Sequence, residues 1–337
     1  MTEMTVLNGV AIEELLTIPM AVEAVEQAYL EKCKGDAALW PMVFHEFDPG
    51  HADLDIKSGD LGGLGFYGLK VVSWFGANPG KGLPALYGTS LLFDLATGAP
   101  RALLNAGPIT DFRTGAAGAI GAKYLARPDA ETLLMAGTGA LAPYLIAAAL
   151  YLLPQIKTVY VTNPHHPECS AAACEAITPQ VEKLLSGCGG CHAAIAAAPD
   201  PEKAVRHSDV ILTATPAREP FIKAEWVQPG THISCVGADM SGKQEVDSAL
   251  FASAKVFGDD TAQCLTVGEC EVPYKAGVFS GHICEIGGVI SGTEAGRTDA
   301  SDITIFDSTG IALQDIATAA ALLQAAQETG KGQTVTL

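Results

Sequence analysis

Hydrophobic positions along the chain change their period twice. In residues 11–34, Ile18, Val22, Val25, Ala28 and Tyr29 recur at helical spacing, which predicts an amphipathic helix. From residue 43 to residue 104 the pattern shifts to β-branched and aromatic runs. Residues 68–75 (GLKVVSWF) and 86–94 (LYGTSLLFD) predict strands, and Thr97-Gly98 turns the chain into a further strand at 101–105. The run 111–125, DFRTGAAGAIGAKYL, predicts a helix capped by Thr110, with a Gly/Ala face that would admit another backbone at close range.

A second regime begins at Thr132. Strand Thr132–Ala136 leads through Gly137-Thr-Gly139 into a helix that ends near Leu153. Further strands are predicted at Thr158–Thr162, 192–197, 209–213, 232–236, Lys255–Gly258 and 302–306, mostly separated by helical stretches such as 168–185. An Ala-rich helix at 310–327 closes the pattern. Alternation of this kind predicts an α/β fold with a Rossmann-type, doubly wound parallel sheet.

Composition narrows the functions available. A chain of 337 residues suffices for about two domains. Its 38 acidic and 20 basic residues leave a net charge of −18, a field that repels polyanions and argues against nucleic acid as a partner. An anionic ligand must therefore be held by a few locally placed cations. The N-terminal MTEMTVLNGVAIEELL carries acids early and no basic region before an apolar run, unlike a signal peptide. The apolar stretch 136–153 is interrupted by Gly and Pro and is too short to span a bilayer, so no membrane is expected. Nine cysteines without a secretory signal predict reduced thiols in the cytoplasm.

Gly137-x-Gly139-x-x-Ala142 stands directly between a predicted strand and a helix, the context that lifts this short motif above chance in a chain with 36 glycines. Gly137 would make the tight turn, Gly139 would let the backbone reach a pyrophosphate, and Ala142 would let helix and strand pack. Thr138, Ala140 and Leu141 complete the turn, and the helix N-terminus adds free N–H groups. At the end of the second strand, where an acid would bind the ribose of NAD, the residues are Thr162-Asn163-Pro164-His165-His166, with no acid before Glu168. The usual arginine clamp for a 2′-phosphate is missing too, though either histidine could serve. The cofactor expected is NAD(P), with NADP favoured because the acid is absent.

Five ordered stretches carry a family likeness. They are residues 113–127 followed by Gly137-Thr-Gly139; Gly68-Leu-Lys-Val-Val72; Gly82-Leu-Pro-Ala85; residues 236–245 (VGADMSGKQE); and residues 306–315 (FDSTGIALQD). Over nearly its whole length the chain resembles the ornithine cyclodeaminase/mu-crystallin family. The resemblance implies a homodimer with two domains. Residues 1–125 plus 306–337 would form an α+β substrate-binding and dimerisation domain, and residues 126–305 the Rossmann dinucleotide-binding domain. Members include ornithine cyclodeaminases, alanine dehydrogenases, cyclic ketimine reductases and iminosuccinate-type reductases.

By this resemblance Lys70 holds the substrate carboxylate or assists proton transfer, and Arg113 lies between that carboxylate and the cofactor. Asp239 is the acid/base acting on the amine or on attacking water, and Thr309 joins the substrate site. Thr114, Asn163, Thr215, Cys235, Val236, Gly237, Lys243 and Ser308 line the cofactor, and no metal is implied. The residues themselves suit these roles. Lys70 lies mid-strand between Leu69 and Val71, so burial should lower its pKa, unless the side chain snorkels outward. Arg113 is expected to open a helix just after its cap, where an anion is favoured; a structural salt bridge is the alternative. Asp239 follows a strand at the ligand-binding edge of the sheet, with a helix cap as its plainer reading.

One departure is informative. Thirteen residues before Lys70, where ornithine cyclodeaminases keep a glutamate for the second amino group, this chain has Lys57. Two ammonium groups at close range repel by about 1–4 kcal/mol depending on screening, so Lys57 suits a carboxylate instead. Val43-Phe44-His45-Glu46 also stands where many members carry an arginine. The expected activity is therefore NAD(P)-dependent hydride transfer between nicotinamide and the α-carbon of a small amino or imino acid, of the alanine dehydrogenase or imine reductase type. The alternatives are an ornithine or lysine cyclodeaminase using bound NAD to form proline and ammonia, and a mu-crystallin-like ligand-binding protein. Cys188-x-x-Cys191-His192 matches a haem-attachment pattern but is read as a thiol-bearing loop before a strand.

Overall fold

The computed structural model describes residues 2–189 and 193–337. The chain divides into two compact units, Met1–Arg113 with Ile311–Leu337, and Thr114–Gly310. The first division falls inside the helix Ala106–Leu125 rather than at its end, and the second at 310/311 rather than 305/306. The side chains explain the first. Arg113 bonds to Gln314 and Asp315 of its own unit. The glycines that follow pack within the second unit: a Cβ on Gly115 would lie 2.6 Å from the Tyr144 carbonyl carbon, and one on Gly121 would run into the Phe306 ring. This is the close approach that the Gly/Ala face predicts.

In the first unit the strand order is Gln333–Thr336, Glu3–Leu7, Pro100–Asn105, Leu86–Asp94, Phe66–Phe75, Ala52–Leu61 and Ala37–Leu39, with Val43–Asp48 also pairing Ala52–Leu61. Glu3–Leu7 and Pro100–Asn105 run parallel, and the other neighbouring pairs are antiparallel. The predicted helix at 11–34 is two helices, Gly9–Leu15 and Ile18–Lys34. Thr17 separates them by capping the second, its Oγ1 accepting from Met20 N at 3.3 Å, and Pro19 fits the first turn. Ile18, Val22, Val25, Ala28 and Tyr29 are all buried, as their spacing predicts.

Thr110 is not a cap. The helix begins at Ala106, the Asn105 side chain accepts from Gly107 N at 2.9 Å, and the Thr110 hydroxyl donates to the Ala106 carbonyl at 2.8 Å. Arg113 therefore lies two turns inside the helix, and the dipole argument for an anion there does not apply. The last helix, Ala312–Thr329, lies on the sheet over Gly59 and Gly68, which pair across their strands. A Cβ on Gly59 would be 3.1 Å from Leu313, and one on Gly68 would be 3.4 Å from Ile316.

The second unit is built on a wholly parallel sheet in the order Ala194–Ala197, Thr158–Thr162, Thr132–Ala136, Val210–Thr213, His232–Cys235, Thr304–Asp307, Lys255–Gly258 and Cys284–Glu285. Chain order reverses between Thr132–Ala136 and Val210–Thr213, the switch point at whose carboxyl edge such sheets bind ligands. The connections that enter and leave His232–Cys235 hold short 3₁₀ turns, Ala224–Trp226 and Ser248–Ala252, in place of α-helices. Among the described residues no helix is long and apolar enough to cross a membrane. Cys188 is described, whereas Cys191 and His192 lie outside the described residues.

Candidate active site

Strand alternation sets the first cluster. Lys70 pairs with Lys57 on one neighbouring strand and with Ser90 on the other, so the three form a row across the sheet. Lys70 is only 3% exposed, which excludes a snorkelling side chain. Its Nζ lies 3.0 Å from Asp315 Oδ1, 2.9 Å from Oδ2 and 3.4 Å from the Thr110 hydroxyl. Arg113, also buried, reaches the same carboxylate through Nε at 3.3 Å and donates from Nη1 to Gln314 Oε1 at 3.0 Å. Gln314 in turn donates to the Tyr29 hydroxyl at 2.8 Å.

The salt bridge considered for Arg113 does form, and it forms beside Lys70. Burial lowers Lys70 to about 8; Asp315 opposes that shift, while Arg113 and Lys57 add to it. Burial by itself would raise Asp315, but Arg113, Lys70 and Lys57 outweigh it and hold the carboxyl below its ordinary value. Three cations act on one carboxylate, which leaves positive charge for an anionic group. Asp315 has no assigned role in the sequence reading, although it ends the 306–315 motif. An acid in the first turn of an Ala-rich helix, whose one other charged residue comes in its last turn, is the signal that points to it.

The second unit holds the glycine turn. Gly137 has φ +128°, and a Cβ there would run into the Ala214 carbonyl oxygen, so only glycine fits. A Cβ on Gly139 would meet open space. The helix Ala142–Leu152 starts after Leu141 with no side-chain cap; Ala142 N donates to the Gly139 carbonyl at 3.1 Å and Pro143 has no N–H, so the backbone donors for an outside acceptor are those of the turn before the helix. Ala140 is exposed, Thr138 and Leu141 are half-buried, and Ala142 is buried. This donor set fits a dinucleotide pyrophosphate. Thr138 Oγ1 accepts from Asn163 Nδ2 at 3.0 Å, and Asn163 Oδ1 accepts from His165 N and His166 N at 3.2 and 3.0 Å. Asn163 thus ties the second strand's end to the glycine turn.

Beyond the next strands, Val236 N donates to the Thr213 carbonyl at 3.0 Å and Ser308 N to the Cys235 carbonyl at 2.9 Å, and the Cys235 side chain is buried. Thr114 is also buried. The Asp239 side chain is 54% exposed and caps no helix; its Oδ1 lies 2.5 Å from Lys243 Nζ. Thr309, expected at the substrate, is 1% exposed, and its hydroxyl donates to Asp259 Oδ1 at 2.7 Å. That bond ties the loop after Thr304–Asp307 to the end of the neighbouring strand Lys255–Gly258.

The chain is similar to known proteins over nearly its whole length. The profile of the ornithine cyclodeaminase/mu-crystallin family matches residues 2–330. The alanine dehydrogenase of Archaeoglobus fulgidus is 36% identical over 319 residues, covering 94% of this chain and 93% of that protein. An archaeal alanine dehydrogenase dimer with bound NAD superposes with a TM-score of 0.86 at 35% identity, covering 99% of each chain. The iminosuccinate reductase of Paracoccus denitrificans in complex with NAD+ superposes with a TM-score of 0.89 at 31% identity, covering 99% of this chain and 100% of that one.

Proposed function

This chain belongs to the ornithine cyclodeaminase/mu-crystallin family, and on that premise we propose that it is an NAD(P)-dependent oxidoreductase acting on a small amino or imino acid. The observation that carries the reading is the register Lys57↔Lys70, which sets two lysines side by side with Arg113 and Asp315 nearby. A substrate side chain ending in an ammonium would meet repulsion there, whereas a carboxylate meets attraction. Lys70, Arg113 and Lys57 hold the substrate carboxylate and so orient its α-carbon. Asp239 removes a proton from the substrate ammonium, because an amine gives up hydride only once its nitrogen has a free pair; in reverse it returns that proton to the amine nitrogen formed when hydride adds to the iminium carbon. The bound nicotinamide supplies the hydride acceptor or donor. The glycine turn and the loops at Thr215, Gly237 and Ser308 hold the dinucleotide.

Asn163 stands where a ribose-binding acid would repel a 2′-phosphate, so NADPH is expected to serve at least as well as NADH. A spectrophotometric screen at about 340 nm, the nicotinamide band, tests both points. It offers pyruvate, oxaloacetate and glyoxylate with ammonium or methylamine, and cyclic imines, each with NADH and NADPH. Oxidation with at least one of them is the expected result. No oxidation with any, alongside ornithine-dependent ammonia release, overturns the reading.

The same reading includes a cytosolic homodimer. Strand Val43–Asp48 is exposed along its length and leaves Val43, Phe44 and Phe47 uncovered, Val43 and Phe47 on one face and Phe44 on the other, with exposed Trp40 and Met42 just before it; this apolar surface favours association. The archaeal relative with bound NAD is itself a dimer. Light scattering is expected to give twice the chain mass of 34.8 kDa, and Phe47→Asp to give the monomer. A wild-type mass of one chain at micromolar concentration removes the dimer.

A further inference from the structure

Glu245 is fully buried, and its carboxylate accepts four hydrogen bonds. Oε2 accepts from the Thr213 hydroxyl at 2.6 Å and from Gly237 N at 2.9 Å. Oε1 accepts from Thr215 N at 2.7 Å and from the Thr215 hydroxyl at 2.8 Å. Thr213 ends one parallel strand, and Gly237 lies two residues past the end of its neighbour. One carboxylate therefore ties together two adjacent loops at the ligand-binding edge of the sheet.

The loops meet backbone to backbone above it. A Cβ on Gly237 would lie 2.5 Å from Thr215 N and 2.6 Å from the Glu245 carboxyl carbon, and would overlap Thr215 O. The same segment presses on the glycine turn, where a Cβ on Gly137 would overlap Ala214 O and lie 3.3 Å from Thr215 Cγ2. Glu245 is itself anchored, since Glu269 Oε1 accepts from Glu245 N at 2.9 Å and from Val246 N at 2.6 Å. We propose that Glu245 is a positioning residue for the dinucleotide, setting the spacing of the Thr215 and Gly237 loops from each other and from the turn at Gly137. The proposal rests on the reading of this unit as the dinucleotide-binding one.

Glutamine cannot replace it. An amide has one acceptor oxygen and one donor nitrogen, so either orientation points an NH₂ group at Thr215 N–H or at Gly237 N–H. The test is the affinity of the intact protein for NADH and NADPH, read by nicotinamide fluorescence, with KM for each substrate and Tm alongside. E245Q is expected to raise the cofactor Kd and KM by about tenfold or more, with KM for the amino or imino acid changed by less than about threefold. Thr213→Val removes one of the four donors at nearly constant shape and is expected to act in the same direction, more weakly. Ile305→Val, a core truncation in the same sheet, reports destabilisation alone and is expected to lower Tm with the cofactor Kd unchanged.

An unchanged cofactor Kd in folded E245Q overturns this proposal alone, as does an Ile305→Val variant whose Kd rises equally. If E245Q does not fold, Thr213→Val decides, and an unchanged Kd there is fatal. A wild-type protein that binds neither dinucleotide overturns the functional reading and this proposal with it.

Discussion

Asp239→Asn is expected to lower turnover by about 100- to 10,000-fold while the protein still binds its dinucleotide, the range for loss of a general acid/base. The carboxylate is half-exposed at the ligand-binding edge of the parallel sheet and lies 2.5 Å from Lys243 Nζ. Asparagine keeps an oxygen for that lysine, so the loop and the cofactor contacts persist. What it loses is a basic oxygen able to take a proton from the substrate ammonium. Steady-state kinetics beside a nicotinamide fluorescence titration separates the two effects: kcat falls, and the cofactor Kd changes by less than about threefold. Full turnover in the variant would falsify the acid/base assignment and leave the chemistry to other groups.

Asp315→Asn is expected to act on stability and on the pH profile together. Removing one partner of a buried ion pair costs about 3–5 kcal/mol because the remaining charge is left uncompensated. Here two buried cations, Lys70 and Arg113, lose their shared carboxylate. The folded carboxyl titrates below its ordinary value, so its stabilisation is present above the unfolded value and is lost as pH falls through the folded one. The wild-type advantage in Tm is therefore full at neutral pH and shrinks in acid.

Lys70 moves the other way. Its folded pKa of about 8 lies below the ordinary value of 10.5, so its contribution to stability rises with pH across that window. Asp315 raises Lys70, so removing the carboxylate drops the lysine further. Substrate carboxylate is held by the ammonium form, so kcat/KM should fall as pH rises through about 8 in the wild type and at lower pH in the variant. Equal thermal transitions at neutral pH together with an unmoved basic limb would sink the proposed role of this pair.

Much of the architecture is legible in local pattern. The strand–glycine–helix run at 132–152 states its own chemistry, because a tight turn, a close backbone approach and a helix with no side-chain cap all arise from neighbouring residues. The spacing of Lys57 and Lys70 likewise survives folding, since two consecutive antiparallel strands bring them into register. Thr110 shows where local reading fails. Thr110 has the hydroxyl of a cap, and only the built helix shows that Asn105 supplies the acceptor while Thr110 bonds back within the helix.

The sequence alone determined the alternation of elements, the dinucleotide turn and the types of side chain available for an anionic substrate. Tertiary structure decided which charges meet. Lys70 finds its carboxylate 245 positions away and Arg113 finds the same one 202 positions away. Glu245 becomes a brace only because strands Val210–Thr213 and His232–Cys235 lie side by side and offer it donors. Periodicity reports which face a residue occupies within its own element. It carries no information about the element that will cover that face, and a buried charge takes its role from the group it meets there.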